Sequence, residues 1–341
     1  MGDARTGASL RDVASLAGVS IKTVSNVVNG YAHVSEATRL RVQKALDTLA
    51  YRPNLNARSL RGGRSGLIAL AVPELDSPYF AELSRHVVRA AEVRGWTVLI
   101  DQTDGLAERE QVVLDGFRAH LIDGVIFSPL ASGVPELTAR RDTTPMVLLG
   151  ERVSDGPVDH VAIDNVAAAR AAVTHLVGLG RVRIAAIGEQ RRRSAGTARL
   201  RSRGYAAALR AGGVAQHPDL VRATDSYHRA DGAAAMTELL ALPTPPDAVF
   251  CYNDLMALGA LRTMNQLGVR VPDDIALMGF DDIEEGRYST PTLSTVRPDK
   301  AAIAQAAVDL LARRLDGGTT DPPRGVRVPF EIVPRQTTAS D

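Results

Sequence analysis

L-R-D-V-A-S-L-A-G-V-S-I-K-T-V-S-N-V-V-N-G, Leu10 to Gly30, decides how the first part of the chain folds. Leu10, Val13, Ala14 and Ala17 recur at helical spacing and give one apolar face. Gly18 ends that helix in a tight turn. Ser20 then caps a second helix, because a hydroxyl can accept one of the unpaired N–H groups at a helix start. Val24, Val27 and Val28 face inward on it, while Ile21, Lys22, Ser25, Asn26 and Asn29 face out. Two short helices joined by a glycine turn form a helix-turn-helix, whose second helix can enter a DNA major groove. Ser35 caps a third helix with Leu40, Val42, Leu46 and Leu49 as its apolar stripe.

Reading outward from this stretch, D-V-A-x-x-A-G-V-S-x-x-T-V-S-x-V-V-N runs from Asp12 to Asn29. V-S-x-x-T-R follows at Val34 to Arg39, and Y-x-P-N-x-x-A-R-x-L at Tyr51 to Leu60. At this spacing the stretch resembles the DNA-binding headpiece of the lactose-repressor/galactose-repressor family of bacterial transcription factors. The resemblance implies a headpiece at 1–51, a hinge helix and linker at 52–65, and a body at 66–341.

The charge distribution agrees with a nucleic-acid partner at one end. Residues 1–65 carry ten Lys/Arg and four Asp/Glu, a net +6, and the other 276 residues carry −5 of the overall +1. A basic head on an acidic body suits a phosphate backbone at the head only. A single cysteine, Cys251, rules out an internal disulfide framework and fits a reducing cytoplasm. No apolar leader opens the chain and no apolar run reaches the length of a membrane span, so a signal peptide and a membrane partner are not expected.

Beyond Gly66 the pattern alternates short apolar runs with longer amphipathic ones. Strands are expected at Leu67–Val72, Thr97–Ile100, Gly124–Phe127, Met146–Leu149 and Val161–Ile163, with helices near 79–94, 107–120 and 133–141. A second series has helices at 165–179, 197–211, 230–241 and 254–267, and strands at 183–187, 220–224, 248–252 and 275–279. This β–α alternation indicates doubly wound parallel sheets. A helix at 298–315 and one strand near 325–333 return the chain between two similar halves. The fold class is therefore an all-α helix-turn-helix headpiece plus an α/β body of two doubly wound lobes, periplasmic-binding-protein-like by resemblance. The N-lobe takes about 66–164 and 298–325, the C-lobe about 165–297 and 326–341.

Major-groove reading needs side chains that match base edges. Ile21, Lys22 and Asn26 occupy the base-reading positions of the family. Lys can donate to guanine, Asn can pair bidentately with adenine, and Ile can pack on a thymine methyl. The family often has Arg at the position of Asn26. Thr23, Ser25, Asn29, His33 and Thr38 are read as phosphate anchors, which set register. Asn54, Ala57 and Leu60 share one face of the hinge helix. The resemblance implies that paired hinge helices enter the minor groove with Leu60 wedged between base steps, where an apolar wedge kinks the duplex.

In the body, D-S-P-Y-F at Asp76–Phe80 ends a strand and opens a helix, where α/β sheets bind ligands. It offers Tyr79 and Phe80. By family position Arg201 grips the ligand, Asn253 and Asp281 hydrogen-bond it, and Tyr227 lies against a sugar face. Asp254 and Asp282 are read as helix caps, and Asp164-Asn165 as either a cap or a further ligand contact. Arg, Asn and Asp together can chelate neighbouring hydroxyls, which favours a carbohydrate effector; a purine would also use Arg and Asp. Gly150 stands where some relatives carry a ligand-contacting Asp.

The sequence has no Walker-type loop, no G-x-S-x-G elbow and no Cys/His metal spacing, so neither an enzyme nor a cofactor is expected. The expectation is a cytoplasmic homodimeric repressor that binds a near-palindromic double-stranded operator and is switched by a small molecule. The alternatives are a purine-type co-repressed regulator and a sugar-binding protein without a regulatory role.

Overall fold

A computed structural model describes residues 8–28, 31, 33–51, 64–116, 121–150, 153, 156–190, 196–317 and 321–339. The chain divides into two units, 1–65 and 66–341.

Among its described residues the first unit holds three helices: α1 (Leu10–Ala17), α2 (Ile21–Val28) and α3 (Glu36–Thr48). Val13, Ala14, Ala17, Val24, Val27, Val42 and Ala45 close its core. Ser9 opens α1 with a reciprocal box, its backbone N–H donating to Asp12 at 2.8 Å and its hydroxyl accepting from the Asp12 N–H at 3.3 Å. The Ser9 hydroxyl, which donates to the Asp12 carboxylate at 2.7 Å, and the Ser9 amide hold that carboxyl below its usual range. Gly18 ends α1 in the left-handed region, φ +60°, which a side chain rarely adopts. The Ser20 and Ser35 hydroxyls accept from the N–H groups of Thr23 and Thr38 at 3.1 and 3.4 Å, as expected of caps. Leu40 does not join the core; it is 65% exposed, and Ala45 fills the inner stripe instead. The smaller residue fits because α1 and α2 already pack closely there.

Among the described residues the body contains two sheets of six strands each. The N-lobe sheet uses β1 (Leu67–Val72), β2 (Thr97–Gln102), β3 (Gly124–Phe127), β4 (Met146–Leu149), β5 (Asp159–Ala162) and β11 (Gly325–Arg327), in the order β11-β5-β4-β3-β1-β2. The C-lobe sheet uses β6 (Ile184–Glu189), β7 (Val221–Ala223), β8 (Ala248–Cys251), β9 (Ala276–Phe280), β10 (Ser294–Pro298) and β12 (Phe330–Val333), in the order β12-β10-β9-β8-β6-β7. All pairings are parallel except β10 with β12. Runs such as L-I-A-L-A-V in β1 and A-V-F-C in β8 are buried almost throughout, because helices cover both faces of each sheet.

The N-lobe helices are α4 (Pro78–Val93), α5 (Ala107–Leu114), α6 (Val134–Ala139) and α12 (Lys300–Leu315). Those of the C-lobe are α7 (Asn165–Gly178), α8 (Thr197–Ala211), α9 (Arg229–Leu240), α10 (Asp254–Gln266) and the short α11 (Glu284–Arg287). Three crossings join the lobes: β5 to α7, β10 to α12, and β11 to β12. The single strand expected at 325–333 is thus two strands in different sheets. Pro329, which cannot donate to a ladder, sits at the break. β10, S-T-V-R-P, was not foreseen. It is a buried strand with two hydroxyl residues, and each hydroxyl is paired: Ser294 donates to Arg335 O at 2.9 Å, Thr295 to Asp254 Oδ1 at 2.6 Å.

One buried carboxylate fastens the N-lobe return. Asp159 on β5 meets Arg314 through two bonds of 2.7 Å, Arg313 at 3.1 Å and the Arg324 N–H at 2.7 Å. Burial alone would raise its pKa, but the hydrogen bonds from Arg314, the Arg324 amide and Arg313 outweigh it and hold the carboxyl below its usual range. Asp159→Ala strips the buried Arg314 guanidinium of its carboxylate and should cost about 3–5 kcal/mol. Urea unfolding would measure it, and a loss under about 1 kcal/mol would show that the cluster is solvated.

Candidate functional site

In the first unit, the outward face of α2 carries Ile21 and Lys22, both exposed, with Asn26 half-buried next to them. An isoleucine left 37% exposed at a helix start costs apolar burial and suits contact with a base methyl. Among the anchors, Thr23 and Thr38 pair through their hydroxyls with Ser20 and Ser35, both at 2.9 Å, so capping fixes their direction. Ser25 is half-buried and His33 exposed. Arg39 donates to Tyr31 O at 3.0 Å and clamps the α2–α3 connection. Asn29, Asn54, Ala57 and Leu60 lie outside the described residues.

The second site is in the body. Both parallel sheets present the carboxyl ends of their strands to a cavity of about 380 Å³, the position where open α/β sheets bind ligands. Tyr79, Phe80, Arg201, Tyr227, Asn253 and Asp281 all line it, as does Asn165. Tyr79 and Phe80 open α4 just after β1 and meet edge to face, centroids 5.2 Å apart at 77°. Gly150 also lines the cavity, at φ +90°.

Arg201, on α8, is buried and already engaged. Its Nε donates to Asn165 Oδ1 at 2.7 Å, its Nη1 donates to the Tyr252 carbonyl, and its guanidinium carbon lies 3.5 Å from the Phe280 ring centroid. Nη2 faces Asp281 Oδ1 at 4.0 Å. Asn165 is therefore an orienting partner of Arg201 as well as part of the cavity wall. Asp164, beside it, is the cap, accepting from the Ala167 N–H at 2.9 Å.

The capping roles at the next two motifs differ from expectation. Asn253, not Asp254, caps α10: its Oδ1 accepts from the Met256 N–H at 2.9 Å, and its Nδ2 donates to Tyr227 O at 2.8 Å. Asn253 thereby positions Tyr227, whose hydroxyl donates to Gly188 O at 2.9 Å. Asp254 is buried one position further on and accepts from the Ile283 N–H at 3.0 Å and from Thr295. Burial, with Asp281 nearby, pushes its carboxyl well above the usual range. Asp282 is no cap either; α11 starts later, and the carboxylate pairs with Arg335 at 2.5 Å and Arg287 at 2.8 Å. The glycine of G-F-D-D is forced: a Cβ on Gly279 would stand 2.1 Å from Asp254 Oδ1.

Sequence reasoning missed further lining residues from both lobes. Glu74, Asp104, Ser128, Gln190 and Asp225 line the cavity. The Ser128–Leu130 wall is held by Glu110, which is fully buried and whose oxygens accept from the N–H groups of Leu130 and Ser132, each at 2.6 Å, and of Ala131 at 3.0 Å. Glu110 sits in an ordinary amphipathic helix, and only the fold brings it under that loop.

Asp281 has φ +115° and Asp282 φ +47°, two consecutive non-glycine residues in a costly region. Burial pushes the Asp281 carboxyl up to about 6, against the pull of Arg201 and Lys300. The folded protein then keeps a proton that the unfolded chain has already lost, so stability falls as pH rises from about 4 to about 6. Asp281→Asn has no such proton. Its stability relative to the parent should rise by about 3 kcal/mol across that window, since one pKa unit is worth about 1.4 kcal/mol. Denaturant titrations at pH 4 and pH 7 measure this, and a pH-independent difference would mean an ordinary carboxyl at 281.

Both units of the chain match known proteins. Residues 9–54 match the family model "Bacterial regulatory proteins, lacI family", and 173–338 match the "Periplasmic binding protein-like domain". The chain is 34% identical to the ribose operon repressor of Escherichia coli strain K12, covering 90% of this chain and 93% of that protein. It is 35% identical to the HTH-type transcriptional repressor CytR of the same strain, covering 92% and 91%. The structure of the lac repressor dimer bound to operator and the anti-inducer ONPF superimposes with a TM-score of 0.85 at 28% identity, covering 98% and 100%. With these likenesses spanning nearly its whole length, the chain belongs to the lacI family of bacterial regulatory proteins and is a DNA-binding regulator, not an enzyme.

Proposed function

We propose that this protein is a cytoplasmic, homodimeric repressor whose operator affinity is set by a small carbohydrate in the interlobe cleft. The observation that carries the effector class is the convergence of Arg201, Asn165 and Asp281 with Tyr79, Phe80 and Tyr227 around one 380 Å³ cavity. Carboxylate and guanidinium groups chelate adjacent hydroxyls through charge-assisted bonds, while the rings cover the apolar face of a sugar. Among relatives, the name of the ribose operon repressor points the same way. Two heads in a dimer would read the half-sites of a near-palindrome, with Ile21, Lys22 and Asn26 at base edges. Asn54, Ala57 and Leu60 complete the proposed DNA contacts from the hinge. No described helix is long and apolar enough to cross a membrane.

The aromatic pair at 79 and 80 also suits a flat nucleobase, which makes a nucleoside or purine the second reading. A thermal-shift screen of pentoses, hexoses, disaccharides, nucleosides and purines separates the two. An effector at a hundredfold excess over its Kd stabilises by about 2.7 kcal/mol. Stabilisation by a nucleoside or purine and by no sugar would overturn the carbohydrate reading. For the sugar that binds, Asp281→Ala should weaken affinity at least about tenfold, because a hydroxyl left without its charged acceptor costs about 1–3 kcal/mol.

At the other end, operator affinity should fall steeply with salt as phosphate contacts recapture counterions. Asn26→Ala should relax base preference at one position per half-site, by about 1–3 kcal/mol. Operator selection with both proteins reads this directly, and an unchanged base profile would remove Asn26 from the readers.

A further inference from the structure

Lys300 is a cation in a place that disfavours one. It is the first residue of α12, at the positive end of the helix dipole, and only 7% exposed. A buried ammonium costs several kcal/mol unless all three donors are met. Here they are: Nζ donates to Glu82 Oε2 at 2.5 Å, Asp281 O at 2.7 Å and Asp282 O at 3.1 Å.

The partners belong to different lobes. α12 packs on α4 and on β3, β4 and β5, so the Lys300 backbone stands with the N-lobe. Glu82 lies on α4, one turn beyond Tyr79, and its Oε1 accepts from the N–H of Glu284 at the start of α11 in the C-lobe, at 3.1 Å. The two carbonyls that Lys300 holds are those of the consecutive positive-φ residues, Asp281 and Asp282. Other bonds reach this turn from within the C-lobe, from Val296, Thr295 and Asp254. Lys300 and Glu82 tie it to α4, the helix that carries Tyr79 and Phe80.

We propose that Lys300 is a positioning residue: its ammonium holds the strained Asp281–Asp282 turn in register and, through Glu82, makes the setting of Asp281 depend on the N-lobe helix α4. Resting on the reading of the cleft as the effector site, this makes Lys300 the point where one lobe senses the placement of the other lobe's ligand-facing carboxylate.

The test uses the full chain without any effector. Hydrogen–deuterium exchange is followed by mass spectrometry in peptides covering 280–284, with peptides of β8 as an internal reference. Lys300→Met should speed exchange at 281–283 at least about tenfold while β8 stays as in the parent, since local opening reports local stability. Lys300→Arg, which keeps a charged donor, should bring exchange back to within about threefold. Parent-like rates in Lys300→Met, or equal acceleration in the Met and Arg variants, would overturn the proposal. If Lys300→Met unfolds globally, Glu82→Gln decides: Lys300 remains, the charged link to α4 is weakened, and unchanged protection at 281–284 rejects the coupling. The sugar screen leaves these rates untouched, so failure of the carbohydrate reading and failure of this one are seen separately.

Discussion

A buried carboxylate at a cavity wall has to be balanced by its surroundings, and the body is arranged around that need at Asp281. Neighbouring charge is distributed over Arg201, Lys300, Glu82 and the protonation-prone Asp254 instead of being matched by one close partner. A tight ion pair at Asp281 would have been easier to bury, but it would have taken up part of the acceptor capacity of the carboxylate. The 4.0 Å gap to Arg201 keeps the carboxylate attracted and its hydrogen-bonding capacity open. The guanidinium in turn is steadied by Asn165, Tyr252 and the Phe280 ring, so it needs little from Asp281. Asp282, one residue along, shows the contrasting solution, with two arginines close against it and its carboxyl held below the usual range.

The head was legible in the sequence because its signals are local. Caps at Ser20 and Ser35, the break at Gly18 and the 3.6-residue stripe each act within one turn, and the structure shows them. Leu40 misled because an apolar residue on a helical stripe need not be on its buried side when a neighbouring alanine fits better. The apolar strands of the body were equally plain, since a strand buried on both faces reads as a continuous run. β10 was invisible for the opposite reason: its burial depends on hydroxyl bonds to Asp254, Arg335 and Thr338, which come from far along the chain.

At the cleft, the residue types were readable and their tasks were not. Arg201, Asn253, Tyr227 and Asp281 meet at one cavity, yet Asn253 spends its amide on a helix end and on Tyr227. In N-D at 253–254 either side chain can cap, and sequence does not say which one the preceding strand turns inward. Here Asp254 is turned beneath the G-F-D-D turn, where Gly279 leaves it room. Glu110 and Lys300 carried no signal at all, because an acid in an amphipathic helix and a lysine at a helix start look like surface charges until the fold encloses them.

A regulator of this kind needs two states of similar free energy, and a ligand shifts them only by the difference in its affinity for each. Typical coupling between sites is about 1–3 kcal/mol, the scale of a few hydrogen bonds. The contacts that span the cleft here are of that size: Lys300 with the Asp281 and Asp282 carbonyls, Glu82 with the Glu284 amide, and His228 facing Glu74 at 3.7 Å. By contrast, the sheets are fixed within each lobe by buried strands and by clusters such as Asp159 with Arg313 and Arg314, whose loss costs more than a ligand can supply. The energy hierarchy therefore favours rigid lobes and an adjustable seam. The groups at the seam are the ones beside the Asp281 carboxylate that lines the cavity, so a molecule that alters their hydrogen bonding acts where the balance is closest.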